Sequence, residues 1–182
     1  MKIISGTLKG RVIKGFDIDG TRPTMDRVKE SIFASIQNYI FGSCVLDLFA
    51  GTGNLGIEAI SNGASYCYFV DSNIKCIKNI QNTLKEFQID MNTKVLNLDY
   101  RRALKLFRKD NIKFDIIFID PPYDCKNIND VVSIINEYNL LNAGGILVLE
   151  FRYDSLDIDN NIFVLKKSKR YGDKYAYIYV KQ

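Results

Sequence analysis

The chain has 182 residues, of which 47% are hydrophobic and 25% charged, and its net charge is +4. This length and this balance are typical of a single soluble globular domain with a sizeable core. No apolar run approaches the ~20 residues of a membrane span, and the N-terminal sequence lacks the apolar segment of a signal peptide. We therefore expect a cytoplasmic protein.

The residue types that are missing restrict the possible chemistry. The sequence contains no histidine, which excludes catalytic triads and acid–base steps that depend on an imidazole. Its four cysteines, Cys44, Cys67, Cys76 and Cys125, have no CxxC spacing, so no metal site is predicted. Catalysis must then use carboxylates, tyrosine, lysine, cysteine or the backbone.

Positive charge is concentrated at the two ends of the chain. Residues 1–30 have seven Lys and Arg against four Asp and Glu, and residues 166–182 have six against one, which leaves −4 for residues 31–165. This distribution predicts a basic surface for a polyanion, with Lys169 and Arg170 in its C-terminal part. An alternative is that the C-terminal lysines only keep a hairpin soluble.

The first 42 residues predict a small hairpin followed by one helix. Residues 2–16 favour β-structure and are interrupted by three glycines, as in a short hairpin. From Thr24 onward, apolar residues recur at helical spacing and predict an amphipathic helix that ends before Gly42. The charged residues off its apolar face are Asp26, Arg27, Lys29 and Glu30.

From residue 44 the pattern alternates between strand and helix. Predicted strands cover residues 45–50, 66–70, 93–98, 113–119, 145–151, 162–167 and 175–180. Predicted helices cover residues 54–61, 74–87, about 101–109 and 128–138. Repeated β-α units with apolar strands predict an α/β fold whose parallel sheet is covered on both faces and binds ligands at the carboxyl ends of its strands.

A glycine-rich motif, GTGNLG at residues 51–56, follows the first of these strands. It fits the pattern GxGxxG between a strand and a helix, with Asp71 twenty residues after Gly51, and alone it would suggest a dinucleotide. Asp47 argues against a dinucleotide, because its carboxylate would lie near the pyrophosphate. Two like charges ~4 Å apart cost about 1 to 4 kcal/mol.

S-adenosylmethionine suits the same residues better, because Asp47 would attract its sulfonium and ammonium groups. Gly51 and Gly53 would let the backbone approach the methionine part, and Asp71 would accept hydrogen bonds from the ribose hydroxyls. Asp99 is placed either to contact the adenine amine or to cap the next helix. The sequence therefore predicts S-adenosylmethionine as the cofactor.

The tetrapeptide DPPY at residues 120–123 follows another apolar strand and carries most information about the reaction. Asp120 and the Pro121 carbonyl could each accept one N–H of an exocyclic amine on a nucleobase, while Tyr123 stacks on its ring. A carboxylate of ordinary pKa ~4 would suffice to take the proton after methylation. Alone, the motif could also be only a turn after a strand.

Four segments together resemble one known family. They are RPTMDRVKESIF at residues 22–33, DLFAGTGNLGIEAISNGA at residues 47–64, Asp71, and DPPY at residues 120–123. They resemble the bacterial 16S ribosomal RNA guanine-N2 methyltransferases of the RsmD family over nearly the whole chain. The first segment, placed ahead of DLFAGTG, is the most specific. One difference is Asp71, where such proteins often have Glu.

The resemblance implies a class I, Rossmann-like methyltransferase with a seven-stranded, mostly parallel sheet. It implies a small N-terminal β-hairpin extension over residues 1–22 and a methyltransferase domain over residues 23–182. The donor would be S-adenosylmethionine, and the acceptor the N2 amine of a guanine in 16S rRNA or a 30S assembly particle. We expect a monomer that uses no metal and no membrane.

Site residues follow by position from the same resemblance. The cofactor-binding residues would be Asp47, Phe49, Gly51, Gly53, Asp71, Ser72, Asp99 and Tyr100. The residues that hold the target base would be Asp120, Pro121, Pro122 and Tyr123. The RNA-binding residues would be Arg22, Thr24 and Arg27 at the catalytic mouth, with Lys169 and Arg170.

Several alternatives share part of this pattern. An adenine-N6 DNA methyltransferase also has DPPY, although such enzymes generally carry an added target-recognition domain, and another RNA amino-methyltransferase would look alike. A non-catalytic RNA-binding module would use only the basic ends of the chain. An NAD enzyme is disfavoured by Asp47 and by the absence of a histidine acid.

Overall fold

The computed structural model describes residues 1–14, 23–121, 128–151 and 158–182. Its strands are β1 (Cys44–Asp47), β2 (Tyr66–Asp71), β3 (Thr93–Asn97), β4 (Phe114–Ile119), β5 (Leu141–Phe151), β6 (Phe163–Tyr171) and β7 (Lys174–Lys181). Its helices are α1 (Pro23–Ile40), α2 (Asn54–Ser61), α3 (Ile74–Phe87), α4 (Tyr100–Lys109) and α5 (Ile128–Glu137), with a 3-10 turn at Asp90–Asn92.

These strands form one sheet in the order β3-β2-β1-β4-β5-β7-β6. Strands β1 to β5 pair in parallel, whereas β7 runs antiparallel to both β5 and β6. The predicted seven-stranded, mostly parallel α/β sheet is therefore confirmed. The strand order reverses between β1 and β4, and a crevice opens at the carboxyl ends of the strands at such a reversal.

Helices cover both faces of the sheet because successive strand residues point to opposite faces. Val45 packs with residues of α1, α2 and α3 in one core, and Leu46 packs with residues of α4 and α5 in the other. No helix in the described ranges is both long enough and apolar enough to cross a membrane.

The predicted first strand is too long at its carboxyl end. It ends at Asp47 rather than at residue 50, because the next three residues turn out of the ladder. Their backbone still bonds the flanking strands, since Leu48 N donates to Phe118 O and Ala50 N to Val70 O. Asp47 is thus the last residue of β1.

Within residues 1–14, which the structure describes, the predicted N-terminal hairpin has an antiparallel bridge between Lys2 and Val12. Met1 and Ile13 exchange backbone hydrogen bonds beside it, and Ile3 N donates to Arg11 O. Ile3 and Ile13 are fully buried in the core that contains α1. Residues 15–22 lie outside the described residues, so the predicted boundary between a hairpin extension and the methyltransferase domain stays a prediction.

Lys29 was predicted to lie off the apolar face of α1, but this prediction was wrong, because the residue is only 1% exposed. Its ammonium lies 2.8 Å from Oε2 of Glu58, which is fully buried on α2. It also donates to the Lys2 carbonyl and to Asn54 Oδ1, both at 2.7 Å. All three N–H donors of the ammonium therefore have acceptors, which is the condition for burying a charge.

Glu58 connects the same ion pair to the N-terminal segment. Its carboxylate accepts hydrogen bonds from the backbone N–H groups of Ile4 and Ser5 and from the Ser5 hydroxyl. One buried ion pair thus joins residues 2–5, α1 and α2, directly behind the glycine-rich turn.

The first testable prediction concerns this buried ion pair. Lys29→Met leaves the Glu58 carboxylate buried without its cation, and we expect a loss of about 3 to 5 kcal/mol in the free energy of unfolding. Urea denaturation measures this loss. Lys14→Met is the control, because Lys14 pairs with Glu86 at 3.2 Å in an exposed position and should change stability by less than about 1 kcal/mol. Equal losses in the two variants would contradict the role assigned to Lys29.

Candidate active site

A cavity of about 510 Å³ lies at the carboxyl ends of β1, β2 and β4. This volume lies within the roughly 300 to 1,000 Å³ that is usual for small-molecule sites. The predicted site residues that line it are Asp47, Phe49, Gly51, Asp71, Ser72, Asp99, Tyr100 and Asp120. The structure therefore brings seven of the eight predicted cofactor residues and the first residue of DPPY to one cavity, whereas Gly53 does not line it and lies against core side chains.

Asp47 provides a buried carboxylate at the floor of this cavity. Its side chain is 2% exposed, and Oδ2 accepts a hydrogen bond of 2.9 Å from Gly56 N, in the first turn of α2. Burial raises the pKa of Asp47 to about 7, against the lowering effect of the Gly56 N–H, and the charge of Asp71 raises it further. A cationic ligand beside Asp47 would favour the ionised form, whereas an anionic ligand would oppose it.

The glycine-rich turn depends on two residues in the left-handed region, Gly51 with φ +54° and Gly53 with φ +78°. A Cβ on Gly51 would meet no atom within 4 Å, so its backbone faces open space. Gly56 has a different role. A Cβ there would lie 2.3 Å from the Phe69 ring, so glycine is needed for α2 to pack on β2.

Asp71, at the end of β2, also binds the glycine-rich turn through its carboxylate. Its Oδ2 accepts from Gly51 N and its Oδ1 from Asn73 N, each at 2.8 Å. Because each carboxylate oxygen can accept more than one hydrogen bond, Asp71 keeps capacity for ligand hydroxyls. Ser72 lines the cavity beside it.

Asp99 caps α4, one of the two roles considered for it. Its Oδ1 accepts from Arg102 N at 3.2 Å, and Oδ2 lies 3.4 Å from Arg102 Nε. Asp99 also lines the cavity, so a role toward a ligand is compatible with the cap. The rings of Phe49 and Tyr100 stand 5.5 Å apart and form an apolar wall next to it.

These residues fit S-adenosylmethionine. Asp47 suits the cationic part, the Gly51 backbone leaves room for close approach, and Asp71 can accept from hydroxyls. The aromatic wall and Leu98 suit a flat heterocycle. No group of three His, Cys, Asp or Glu side chains suited to a metal ion occurs within the described ranges.

Asp120 follows β4 directly and is 28% exposed on its side chain. It faces two residues that the sequence analysis missed, Glu150 on β5 and Lys174 on β7. Lys174 Nζ lies 3.5 Å from Asp120 Oδ1 and 2.7 Å from Glu150 Oε1. An acidic residue near the end of the apolar run GILVLEF was the available signal for Glu150, while nothing local distinguished Lys174 from other basic residues.

The carboxyl group of Asp120 has a pKa above the ordinary value of about 4. Desolvation and the charge of Glu150 raise its pKa to about 7, although Lys174 opposes the shift. Asp120 therefore changes its protonation state near pH 7 and is not fully ionised across the physiological pH range.

Other predicted residues divide into described and undescribed ones. Pro121 is buried next to Asp120, and Arg27 is exposed on α1. Pro122, Tyr123, Arg22 and the side chain of Thr24 lie outside the described residues. Their predicted roles stay predictions.

The two C-terminal basic residues lie on opposite faces of β6. Lys169 pairs in register with Ala176, which packs against α1, whereas Arg170 pairs with Tyr175 on the other face. Ser31 of α1 lines a small cleft with Lys169. Arg27, one turn before Ser31, therefore lies on the same side of the sheet as Lys169.

Comparisons with known proteins decide the family. The family model described as "Conserved hypothetical protein 95" matches residues 1–180. The putative rRNA methyltransferase YlbH of Bacillus subtilis is 39% identical over the whole of both chains. The ribosomal RNA small subunit methyltransferase D of Buchnera aphidicola is 32% identical over 98% of this chain and 92% of its own. The chain belongs to this family.

Membership in the RsmD family confirms the resemblance carried by the four sequence segments and the predicted enzyme class, a methyltransferase. A conserved hypothetical protein from Streptococcus pyogenes is 31% identical with a TM-score of 0.77, covering 85% of this chain and 95% of its own. A putative methyltransferase from Escherichia coli, at 24% identity, shares the fold with a TM-score of 0.87 over 100% and 98% of the two chains.

Two more distant structures have a similar fold. A putative SAM-dependent methyltransferase from Streptococcus mutans has a TM-score of 0.71 over 84% of this chain and 48% of its own, at 15% identity. Another, SMU.776, was solved as a complex with SAH and has a TM-score of 0.66, at 16% identity over 81% of this chain and 49% of its own. Both therefore share the fold of this RsmD-family chain.

A second prediction tests the buried charge of Asp47. A raised carboxyl pKa means that the folded state binds protons more tightly than the unfolded state, so stability falls as pH rises from about 4 to about 7. Asp47→Asn removes this effect and can keep the hydrogen bond from Gly56 N. The gain in free energy of unfolding should be at most about 3 kcal/mol larger at about pH 8 than at about pH 5.

Urea denaturation at the two pH values measures this difference. Asp90→Asn, in the exposed 3-10 turn, is the control and should change stability equally at both. A gain for Asp47→Asn that did not grow with pH would contradict the burial of an ionisable carboxylate at this position.

Proposed function

We propose that this RsmD-family chain transfers the methyl group of S-adenosylmethionine to the exocyclic N2 amine of a guanine in small-subunit rRNA. The observation that carries this proposal is the position of Asp120. Its carboxylate shares one cavity with Asp47 and Asp71, at the ends of neighbouring strands. The names of the relatives, small subunit methyltransferase D and rRNA methyltransferase, support an rRNA substrate.

The chain's part in the reaction is to hold and orient the amine. An aromatic amine is a poor nucleophile because its lone pair is delocalised into the ring. Hydrogen bonds from its two N–H groups to Asp120 and to the Pro121 carbonyl would favour a pyramidal nitrogen and direct the lone pair toward the donor. The bound cofactor supplies an electrophilic methyl group on a sulfonium. Asp120 then accepts the proton that the methylated nitrogen releases.

The substrate must present its base outside a duplex, because a paired guanine cannot place its amine in this cavity. Tyr123 would stack on the flipped ring, as its place in DPPY suggests. We propose 16S rRNA or a 30S assembly particle as the partner, in the cytoplasm, with the protein acting as a monomer. The exposed Arg27 and Lys169, on one side of the sheet, would contact RNA phosphates.

The third prediction concerns the proposed acceptor of the amine. Asp120→Ala should lower kcat for methyl transfer by at least about 100-fold, because a preorganised acceptor at the reacting group is lost. Binding of S-adenosylhomocysteine, followed by calorimetry, should change only a few-fold. Full retained activity would refute the role of Asp120.

The same assay identifies the substrate. Labelled S-adenosylmethionine is offered in parallel to 30S particles, naked 16S rRNA and duplex DNA, and the products are digested to nucleosides. We expect N2-methylguanosine from one of the RNA substrates. N6-methyladenine in the DNA sample would instead identify an adenine methyltransferase.

A fourth prediction concerns the basic side of the sheet. Lys169→Glu should weaken RNA binding and flatten the dependence of log K on log salt concentration by about one unit, because one phosphate contact is lost. Lys78→Glu, an equal charge change on the exposed face of α3, is the control and should leave the slope unchanged. Filter binding over a salt series measures both. Equal slopes for Lys169→Glu and the unaltered protein would contradict the proposal that Lys169 contacts RNA.

A further inference from the structure

Lys174 is the first residue of β7, just after the turn that joins β6 to β7. Its ammonium lies between two carboxylates, 2.7 Å from Glu150 Oε1 and 3.5 Å from Asp120 Oδ1. Lys174 is 17% exposed and Glu150 is 8% exposed on their side chains. The three charges therefore form a largely buried cluster at the edge of the cavity where Asp120 would meet the target amine.

The cluster is electrostatically unbalanced without Lys174. Glu150 faces Asp120 from β5 and Asp47 acts on it from β1, and both negative charges disfavour ionisation of Asp120. Lys174 on β7 is the cation that acts in the opposite direction. The same cavity is lined by Asp71 and Lys29, of which Lys29 is already neutralised by Glu58.

We propose that Lys174, anchored by Glu150, is a positioning residue that favours the ionised form of the Asp120 carboxylate and directs it at the target amine. This inference rests on the proposed function of Asp120. The short contact fixes Lys174 to Glu150, and the longer contact leaves the Asp120 oxygen able to accept a further hydrogen bond. The hairpin of β6 and β7 thereby adds Lys174 to the site that the ends of the parallel strands form.

The lone pair of the amine nitrogen forms the new N–C bond while the C–S bond of the donor breaks, and the sulfur keeps that electron pair and becomes neutral. The nitrogen then releases one proton to the Asp120 carboxylate, which must be ionised beforehand to take up that proton. The proton leaves Asp120 to solvent as the product departs, with no further co-reactant.

A purely structural role for Lys174 makes a different prediction. If Lys174 only neutralised Glu150, its loss would lower stability and leave the protonation of Asp120 unchanged. The proposed role requires that Lys174 lowers the pKa of Asp120 and that Glu150 raises it. Stability measurements do not report these two shifts.

The fifth prediction therefore uses the pH dependence of kcat in three variants. Lys174→Met should move the acidic limb of the profile to higher pH by about one unit or more, because a nearby cation is lost. Glu150→Gln should move the limb to lower pH, because a nearby anion is lost. The double variant removes both charges and should restore the limb to within a few tenths of a unit of the unaltered protein. Lys174→Arg, which keeps the charge, should leave the limb close to its original position.

The control is Lys181→Met, at the opposite end of β7, where Lys181 donates to Asn139 and to the Leu141 carbonyl. It removes the same charge from the same strand and should not move the limb. Thermal unfolding and binding of S-adenosylhomocysteine verify that each variant is folded.

A second measurement separates this inference from the proposed function. Carboxyl ¹³C NMR of the unreacted protein, assigned with Asp120→Asn, follows the titration of Asp120 whether or not the substrate is correct. Opposite shifts in Lys174→Met and Glu150→Gln support the inference even if no methyl transfer to rRNA is found. An Asp120 titration that is unchanged in Lys174→Met overturns it, even if the enzyme methylates rRNA.

Discussion

The hydrogen bond from Gly56 N to the buried Asp47 carboxylate is the interaction on which the rest of the site depends. It joins the end of β1 to the first turn of α2 and so determines the path of the glycine-rich turn between them. An N–H at a helix N-terminus is a good partner for a buried carboxylate, because the helix leaves its first N–H groups without acceptors. The cavity opens in front of that turn and takes its floor from Asp47.

The parallel sheet explains why so many acids meet at this edge. Asp47, Asp71 and Asp120 each stand at or just beyond the carboxyl end of a parallel strand, and Glu150 lies one residue before the end of β5. Such an arrangement is costly unless cations oppose it. Lys174 supplies one at the substrate side, and a bound sulfonium would supply another beside Asp47. The site is therefore electrostatically complementary to a cationic methyl donor.

The periodicity of the sequence was sufficient to predict most of the fold. Apolar stripes placed α2 and α3 at their observed bounds, and apolar runs located all seven strands, because these elements bury the faces that their sequence patterns define. The end of β1 was missed, since Leu48 and Phe49 are as apolar as the strand before them. Most of the residues that line the cavity could be located because the motifs place them at known points after strand ends.

The charged interactions could not be predicted in the same way. Lys29 falls on the polar side of the helical pattern, and only its partner Glu58, 29 residues later, explains its burial. The environment of Asp120 depends on Glu150 and Lys174, which are brought close by sheet order rather than by any local motif. Likewise, the alternation of β6 separates Lys169 from Arg170, although they are adjacent in the sequence.

The central claim is that the crevice beside β1 is built for a cationic methyl donor. Isothermal calorimetry with S-adenosylmethionine and NAD⁺, each titrated into the purified protein and then in competition, tests it most directly. We predict that S-adenosylmethionine binds with one molecule per chain and that NAD⁺ neither releases heat nor displaces it. Binding of NAD⁺ that displaced S-adenosylmethionine would contradict the account.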